Sequence, residues 1–257
     1  GRVELGIPGR HNVLNALAAI TVADTLKVDF QLVARALATF AGARRRFENK
    51  YVSSQLRIVD DYGHHPTEVE ATLQTARSLK PGRMVVVFQP HRYSRTQKLA
   101  DDFGKALQDA DLVFVTDIYP ASELPIEGVT AQTIVDAIAA HGNVPAQVVG
   151  PIQNAHHVVG NALKSGDLLV TLGAGNVHEI GTKIARDMAV IEEMTRCCEE
   201  GSEQEEGSLL KAKLYEPMNR HTTIWCGGPA QYWLEPHTFE AFSRIVKYCR
   251  DRGIPQR

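Results

Sequence analysis

Apolar positions along this chain switch repeatedly between two rhythms. Compact runs such as Met84-Val85-Val86-Val87-Phe88 and Leu168-Leu169-Val170-Thr171-Leu172 are separated by longer stretches in which apolar residues recur every three or four positions. A run of about five apolar residues is too short for a helix and fits a strand buried on both faces, whereas the wider spacing fits one face of a helix. Between residues 54 and 187 the pattern predicts strands at 55–59, 84–88, 112–116, 147–149 and 168–172. Helices are predicted between them, at 67–78, 97–109, 131–140, 152–164 and 177–186. Short strands alternating with helices predict an α/β fold: a mainly parallel sheet with helices on both faces.

The flanking regions differ. Residues 1–50 predict a short strand at 3–7, a Pro8-Gly9 turn and two apolar helices at 12–27 and 30–40, a helical layer covering something else. Residues 188–213 carry Glu192-Glu193, Glu199-Glu200, Glu203 and Glu205-Glu206 among Gly and Ser, an acidic linker composition. Residues 214–257 regain globular patterning, with strands expected at 222–226 and 231–235 and a helix at 238–252. A tail of this size rarely builds its own core, so it is expected to begin a second domain. The first residue is Gly, and the opening helices lack companions, as expected of a piece of a longer chain.

Composition narrows the function. With 257 residues, 44% hydrophobic content and a net charge of -2, the chain has no electrostatic footprint for nucleic acid. It shows neither a membrane-spanning apolar stretch nor a charged leader, so a cytoplasmic location is expected. The adjacent Cys197 and Cys198 match neither a disulfide framework nor zinc spacing, and they are read as reduced thiols. The pairs His64-His65 and His156-His157 lack the i, i+4 spacing of a helical zinc site, so no metal ligands are assigned.

In an open α/β sheet, ligands bind outside the carboxyl ends of the strands. Asp60-Asp61-Tyr62-Gly63-His64 follows the first predicted strand and His91-Arg92-Tyr93-Ser94-Arg95 the second. Asp117 and Tyr119 follow the third, and Gly173-Ala174-Gly175 the fifth. One strand end is acidic and the next basic, which implies a zwitterionic or phosphorylated substrate. Arg92 and Arg95, three apart, either clamp one small anion with their planar forks or form a solvated basic turn. His91 is placed to orient a substrate or exchange a proton near neutrality. The Gly173-Ala174-Gly175 loop fails the dinucleotide fingerprint, since no third glycine and no closing strand follow, and close backbone approach is the milder reading. Asn12 and Asn15 share one helix face, and either cap and pack that helix or hold a nucleotide with their amides.

At these residues the sequence resembles the Mur ligase family from residue 1 to about 187. The resemblance rests on Gly9-Arg10-His11-Asn12-Val13-Leu14-Asn15, Arg45-Arg46-Phe47, Asp60-Asp61-Tyr62-Gly63-His64-His65-Pro66 and Phe88-Gln89-Pro90-His91-Arg92-Tyr93-Ser94-Arg95. It implies residues 1–50 as the end of a central ATPase domain and 51–187 as a carboxyl-terminal Rossmann-like domain. The implied activity is ATP-dependent joining of L-alanine to UDP-N-acetylmuramate through an acyl phosphate, with ATP and magnesium as cofactors. By the same resemblance Arg46, Asp61, His64 and His91 are catalytic and Arg92 and Arg95 bind substrate. Asn12, Asn15 and Tyr62 flank the nucleotide. The phosphate loop, the magnesium-binding glutamate and the uridine pocket of the family do not occur in these residues, so missing domains of the parent are implied and the piece is expected to be inactive alone.

A second resemblance, from Glu216 onward, is to the UDP-N-acetylenolpyruvoylglucosamine reductase family. It rests on Asn219-Arg220-His221-Thr222-Thr223-Ile224, Gly227-Gly228-Pro229-Ala230 and Tyr232-Trp233-Leu234-Glu235-Pro236. It implies a fusion protein whose last segment begins an α+β flavin-binding domain, with FAD. The alternatives are an FAD- and NADPH-dependent reductase as the parent's main activity, or a non-catalytic nucleotide-binding module.

Overall fold

The structure, a computed structural model, describes residues 1–199, 209–223 and 227–256. These divide into two compact units, whose boundaries fall inside two helices. The first unit comprises Gly1–Gln153 and Leu163–Gly181, and the second Asn154–Ala162 and Thr182–Arg257.

In the first unit, strands β1 (Glu48–Val52), β2 (Leu56–Asp61), β3 (Arg83–Phe88), β4 (Leu112–Thr116), β5 (Ala146–Gly150) and β6 (Asp167–Leu172) form a sheet of order β1-β2-β6-β3-β4-β5. Every neighbouring pair is parallel except β1 with β2. This is the expected α/β fold. The apolar runs mark the centre: β6 is buried along its whole length and β3 from Met84 onward. On one face Val59, Val86, Phe88 and Val170 meet Leu73 of α3 (Pro66–Ser78), Phe103 of α4 (Tyr93–Ala106) and Ile134 of α5 (Ala131–His141). On the other face Gly181, in α7 (His178–Glu199), approaches so closely that a Cβ would lie 3.2 Å from Ile58 and Thr171. Helices therefore cover both faces, and a single central strand, β6, separates the carboxyl ends of β2 and β3.

Several expectations are corrected. Residues 3–7 are not a strand, because no neighbouring strand supplies backbone partners; Gly6 instead lies against the carbonyls of Ala38 and Phe40 at the end of α2 (Phe30–Thr39). Strand β1 was not anticipated, since Glu-Asn-Lys-Tyr-Val is mostly polar and its place is fixed by pairing with β2, and a boundary at residue 50 would cut through it. Asn12 is not the N-cap of α1 (Arg10–Thr25): Gly9 takes that position, and the Asn12 amide donates back to the Pro8 carbonyl at 2.6 Å.

The second unit corrects the linker. Helix α7 runs on to Glu199, and strand β7 (Leu210–Pro217) pairs antiparallel with β8 (Pro229–Pro236). Met194 and Cys198 of α7, Leu210 of β7, and Ala241, Ile245 and Cys249 of α8 (Phe239–Asp251) share one buried cluster, so 188–199 and 210–213 carry regular structure. The rest of the expected linker, 200–208, lies outside the described residues. Of the strand expected at 222–226, Thr222 and Thr223 sit in a turn and 224–226 lie outside the described residues. No described helix is long and apolar enough to cross a membrane.

Candidate active site

The carboxyl end of β2 is built around two carboxylates with different jobs. Asp60 is fully buried and held by the Thr171 hydroxyl at 2.7 Å and Arg45 Nε at 3.0 Å. Asp61 accepts backbone N–H bonds from Phe47 at 2.8 Å and Gly63 at 2.7 Å. Burial pushes the Asp61 carboxyl above the usual range, against the pull of the Gly63 and Phe47 N–H groups, the Arg46 charge and Thr72. A buried acid with no cation in contact among the described residues gives up stability for a poised charge, a pattern found at functional sites.

Arg45 and Arg46 are neighbours in sequence and opposites in use. Besides Asp60, the Arg45 fork donates to the carbonyls of Gly175 at 2.9 Å and Gly173 at 2.6 Å, which binds the segment before β1 to the glycine loop after β6. Arg46 is 52% exposed and makes one long contact, 3.7 Å to Glu68. Both guanidinium groups flank the Tyr62 ring, at 5.1 and 5.7 Å from its centroid. Arg46 is therefore the arginine left available to a ligand.

Helix α3 places the next group. Pro66 opens it, and Glu68 reaches back to the backbone N–H of His64 at 3.0 Å and of His65 at 3.2 Å. Burial raises Glu68, but the His64 N–H and imidazole, Arg46 and the His65 N–H outweigh it and hold the carboxyl below its usual range. His64 Nδ1 faces two acceptors, the Tyr62 carbonyl at 3.1 Å and Glu68 at 3.4 Å. The neutral ring therefore carries its proton on Nδ1 and presents the Nε2 lone pair outward.

At the end of β3, Gln89 is almost fully buried and bonds across to the loop after β6, accepting from Val177 N at 3.1 Å and donating to Asn176 at 3.0 Å. His91 pairs with Tyr119 by a parallel bridge and stacks on its ring, centroids 5.4 Å apart. Arg95 reaches His91 Nδ1 at 3.5 Å; arginine only donates, so Nδ1 accepts and the His91 proton sits on Nε2. Burial is the largest cause, and the electrostatic influence of His64, Arg95 and Arg92 adds to it, so His91 lies below the usual imidazole range, with Glu123 opposing. Arg92 adopts φ 73° at the N-cap of α4 and lies 3.6 Å from Glu123. Arg95 has no carboxylate partner among the described residues.

The two strand ends meet through their rings. Tyr62, His64, His91 and Tyr119 form a continuous aromatic edge with successive centroids 5.3, 5.5 and 5.4 Å apart. The structure thus brings together Arg46, Asp61, Tyr62, His64, His91, Arg92 and Arg95. Asn12 and Asn15 stand apart from this network on α1, where Asn15 is exposed. The sequence reading missed Arg45, Glu68, Gln89 and Glu123 as organisers. Only Glu68 had a local signal, an acid two residues beyond the proline that opens a helix. Among the described residues no group of three or more His, Cys, Asp or Glu side chains is placed to hold a metal ion.

Comparison with known proteins supplies the wider frame. The family model "Mur ligase, glutamate ligase domain" matches residues 45–175, half of the chain. The UDP-N-acetylmuramate--L-alanine ligase of Desulforamulus reducens is 46% identical over 186 residues, covering 72% of this chain and 40% of that protein. The enzyme of the same name from Geobacter sp. strain M21 is 48% identical over 182 residues, 70% of this chain and 40% of its own. Among solved structures, the UDP-N-acetylmuramate-alanine ligase of Thermotoga maritima superposes with a TM-score of 0.63 at 31% identity, covering 74% of this chain and 40% of that one. The chain thus spans about two fifths of the length of the curated relatives it matches.

Proposed function

The chain belongs to the Mur ligase family, and on that premise we propose that it provides the amino-acid-receiving part of an ATP-dependent ligase that joins L-alanine to UDP-N-acetylmuramate. The observation that carries this reading is the shared ring edge, which sets an ATP-side group (Arg46, Asp61, Tyr62) beside an anion-side group (His91, Arg92, Arg95). The curated relatives bearing that ligase name support the substrate pair.

In this reading ATP phosphorylates the muramyl carboxylate, giving an acyl phosphate and ADP. The amine of L-alanine then adds to the acyl carbon, phosphate leaves, and the nitrogen loses a proton. Catalysis of this kind depends on positioning and charge stabilisation. Arg95 holds the alanine carboxylate in a planar fork. The outward Nε2 of His64 accepts the amine proton, and the Nε2–H of His91 donates to developing negative charge. Arg46 and Tyr62 face the nucleotide. Magnesium would accompany ATP, and among the described residues no cluster of three or more His, Cys, Asp or Glu side chains is placed to hold it. No Gly-Lys-Ser/Thr phosphate loop occurs in the 257 residues, so phosphate handling falls to a further segment or partner. Asn12 and Asn15 are proposed to extend the nucleotide side. The reductase reading of 214–257 gains no support from the described residues, where His221 contacts Glu216 at 3.0 Å and stacks on Trp233.

A chimera tests the reading. The segment of the Desulforamulus reducens ligase that matches this chain is replaced by the corresponding residues here, and ADP release is measured with UDP-N-acetylmuramate and L-alanine. Release that depends on L-alanine is expected. A folded chimera that binds ATP yet shows no dependence on any small amino acid overturns the assignment.

A further inference from the structure

We infer that Glu123, in the loop after β4, is the positioning residue that steers the substrate carboxylate onto Arg95. The inference deepens the proposed function and rests on it.

The argument starts at the amino end of α4, where unsatisfied backbone N–H groups attract anions. This end is crowded with positive charge: Arg92 at the N-cap and Arg95 in the first turn, with His91 just before. A carboxylate arriving from solvent would find three competing partners, the helix end, Arg92 and Arg95. Glu123 removes two of them. Its carboxylate accepts from Ser94 N at 3.0 Å and from the Ser94 hydroxyl at 2.7 Å, and lies 3.6 Å from Arg92. The Ser94 N–H and hydroxyl, with Arg92, hold the Glu123 carboxyl below its ordinary range, so it is ionised throughout the neutral region.

Glu123 reaches this position from far along the chain, 29 residues beyond Ser94. Its loop also carries Tyr119, whose backbone accepts from Arg92 N at 2.8 Å and whose ring stacks on His91. One loop therefore fixes the backbone of Arg92, the plane of His91 and the cap of α4. Arg95, without a carboxylate of its own among the described residues, is the donor left open. A simple helix cap would be served by a local Ser, Thr or Asp. A distant glutamate that also neutralises Arg92 does more, because it makes the anion site single.

Two arms test this. In the chain itself, NMR titration of the His91 imidazole is compared between wild type and Glu123→Gln. The groups around that ring are His64, Arg92, Arg95, Glu123 and Tyr119. Glu123 opposes the lowering of His91, so Glu123→Gln is expected to move its titration further down; an unmoved titration overturns the electrostatic link. In the active chimera, Glu123→Gln is expected to raise KM for L-alanine about tenfold, with kcat much less affected, and to create inhibition by inorganic phosphate competitive with L-alanine. Glu123→Asp is expected to restore part of the KM, and Ser94→Ala, which keeps the N–H contact, to show a smaller effect of the same kind. An unchanged KM with no phosphate inhibition overturns the inference while the ligase reading stands. A folded parent chimera that binds ATP yet shows no dependence on any small amino acid overturns the ligase reading and with it the steering role, leaving the NMR arm to report on the charge link alone.

Discussion

Arg45 and Arg46 offer a direct test of the division between holding the site and using it. Arg45→Met keeps the aliphatic stem and removes the fork, which leaves the fully buried Asp60 carboxylate with the Thr171 hydroxyl and strips a donor from each of the Gly173 and Gly175 carbonyls. Removing one partner of a buried pair costs roughly 3 to 5 kcal/mol, because the remaining charge stays desolvated. Arg46→Met breaks a 3.7 Å contact to Glu68 and a 5.7 Å approach to the Tyr62 ring centroid at a residue that is 52% exposed, so it costs about 1 kcal/mol. For a unit of this size about 1 kcal/mol corresponds to roughly 2 to 4 °C, so Arg45→Met should lower the melting temperature by about 6 to 20 °C. Arg46→Met should lower it by only about 2 to 4 °C. The assay is thermal unfolding of the chain by far-ultraviolet circular dichroism, with hydrogen exchange over residues 166–176 to locate the loosening. Arg45→Lys should recover little, since one ammonium cannot reproduce the three directions of the fork. In the chimera the order reverses for folded protein: Arg46→Met should reduce turnover. Equal stabilities for the two variants, or a larger loss at Arg46, would refute the reasoning.

Two further outcomes follow from the same geometry. Arg95→Ala in the chimera should raise KM for L-alanine by roughly 30-fold or more with KM for ATP nearly unchanged, as expected for losing one partner of a desolvated pair; weakened ATP binding with alanine spared would remove this strand end from amino-acid recognition. Gly104→Ala should destabilise the chain although alanine favours helix by about 1 kcal/mol, because the new Cβ would sit 2.5 Å from the Ala137 carbonyl of α5 and overpacking costs about 1 to 3 kcal/mol. A raised melting temperature for Gly104→Ala would show that α4 and α5 can separate freely.

The sequence alone determined the central architecture and which polar residues gather at the strand ends. Strands β3, β4 and β6 were legible because strands buried on both faces must be continuously apolar, and α3 and α5 because their apolar spacing is local. The strand-end rule then placed Asp61, His64, His91 and Arg95 without any knowledge of contacts. Helix α7 was cut short for a physical reason: its glutamates gave residues 188–199 the composition of a solvated linker. The spacing of Ile191, Met194 and Cys198 nevertheless marks a buried stripe, and burial along one face outweighs charge on the other. What only the tertiary structure decided were choices that depend on partners distant in the chain. A mostly polar β1 becomes a strand because β2 offers it a ladder. One arginine of Arg44-Arg45-Arg46 becomes structural because Asp60 and two glycine carbonyls converge on it, and Glu123 acquires a role because folding carries it to the first turn of α4. Periodicity and caps are written in neighbouring residues, whereas the worth of a single charge is set by which groups it is buried beside.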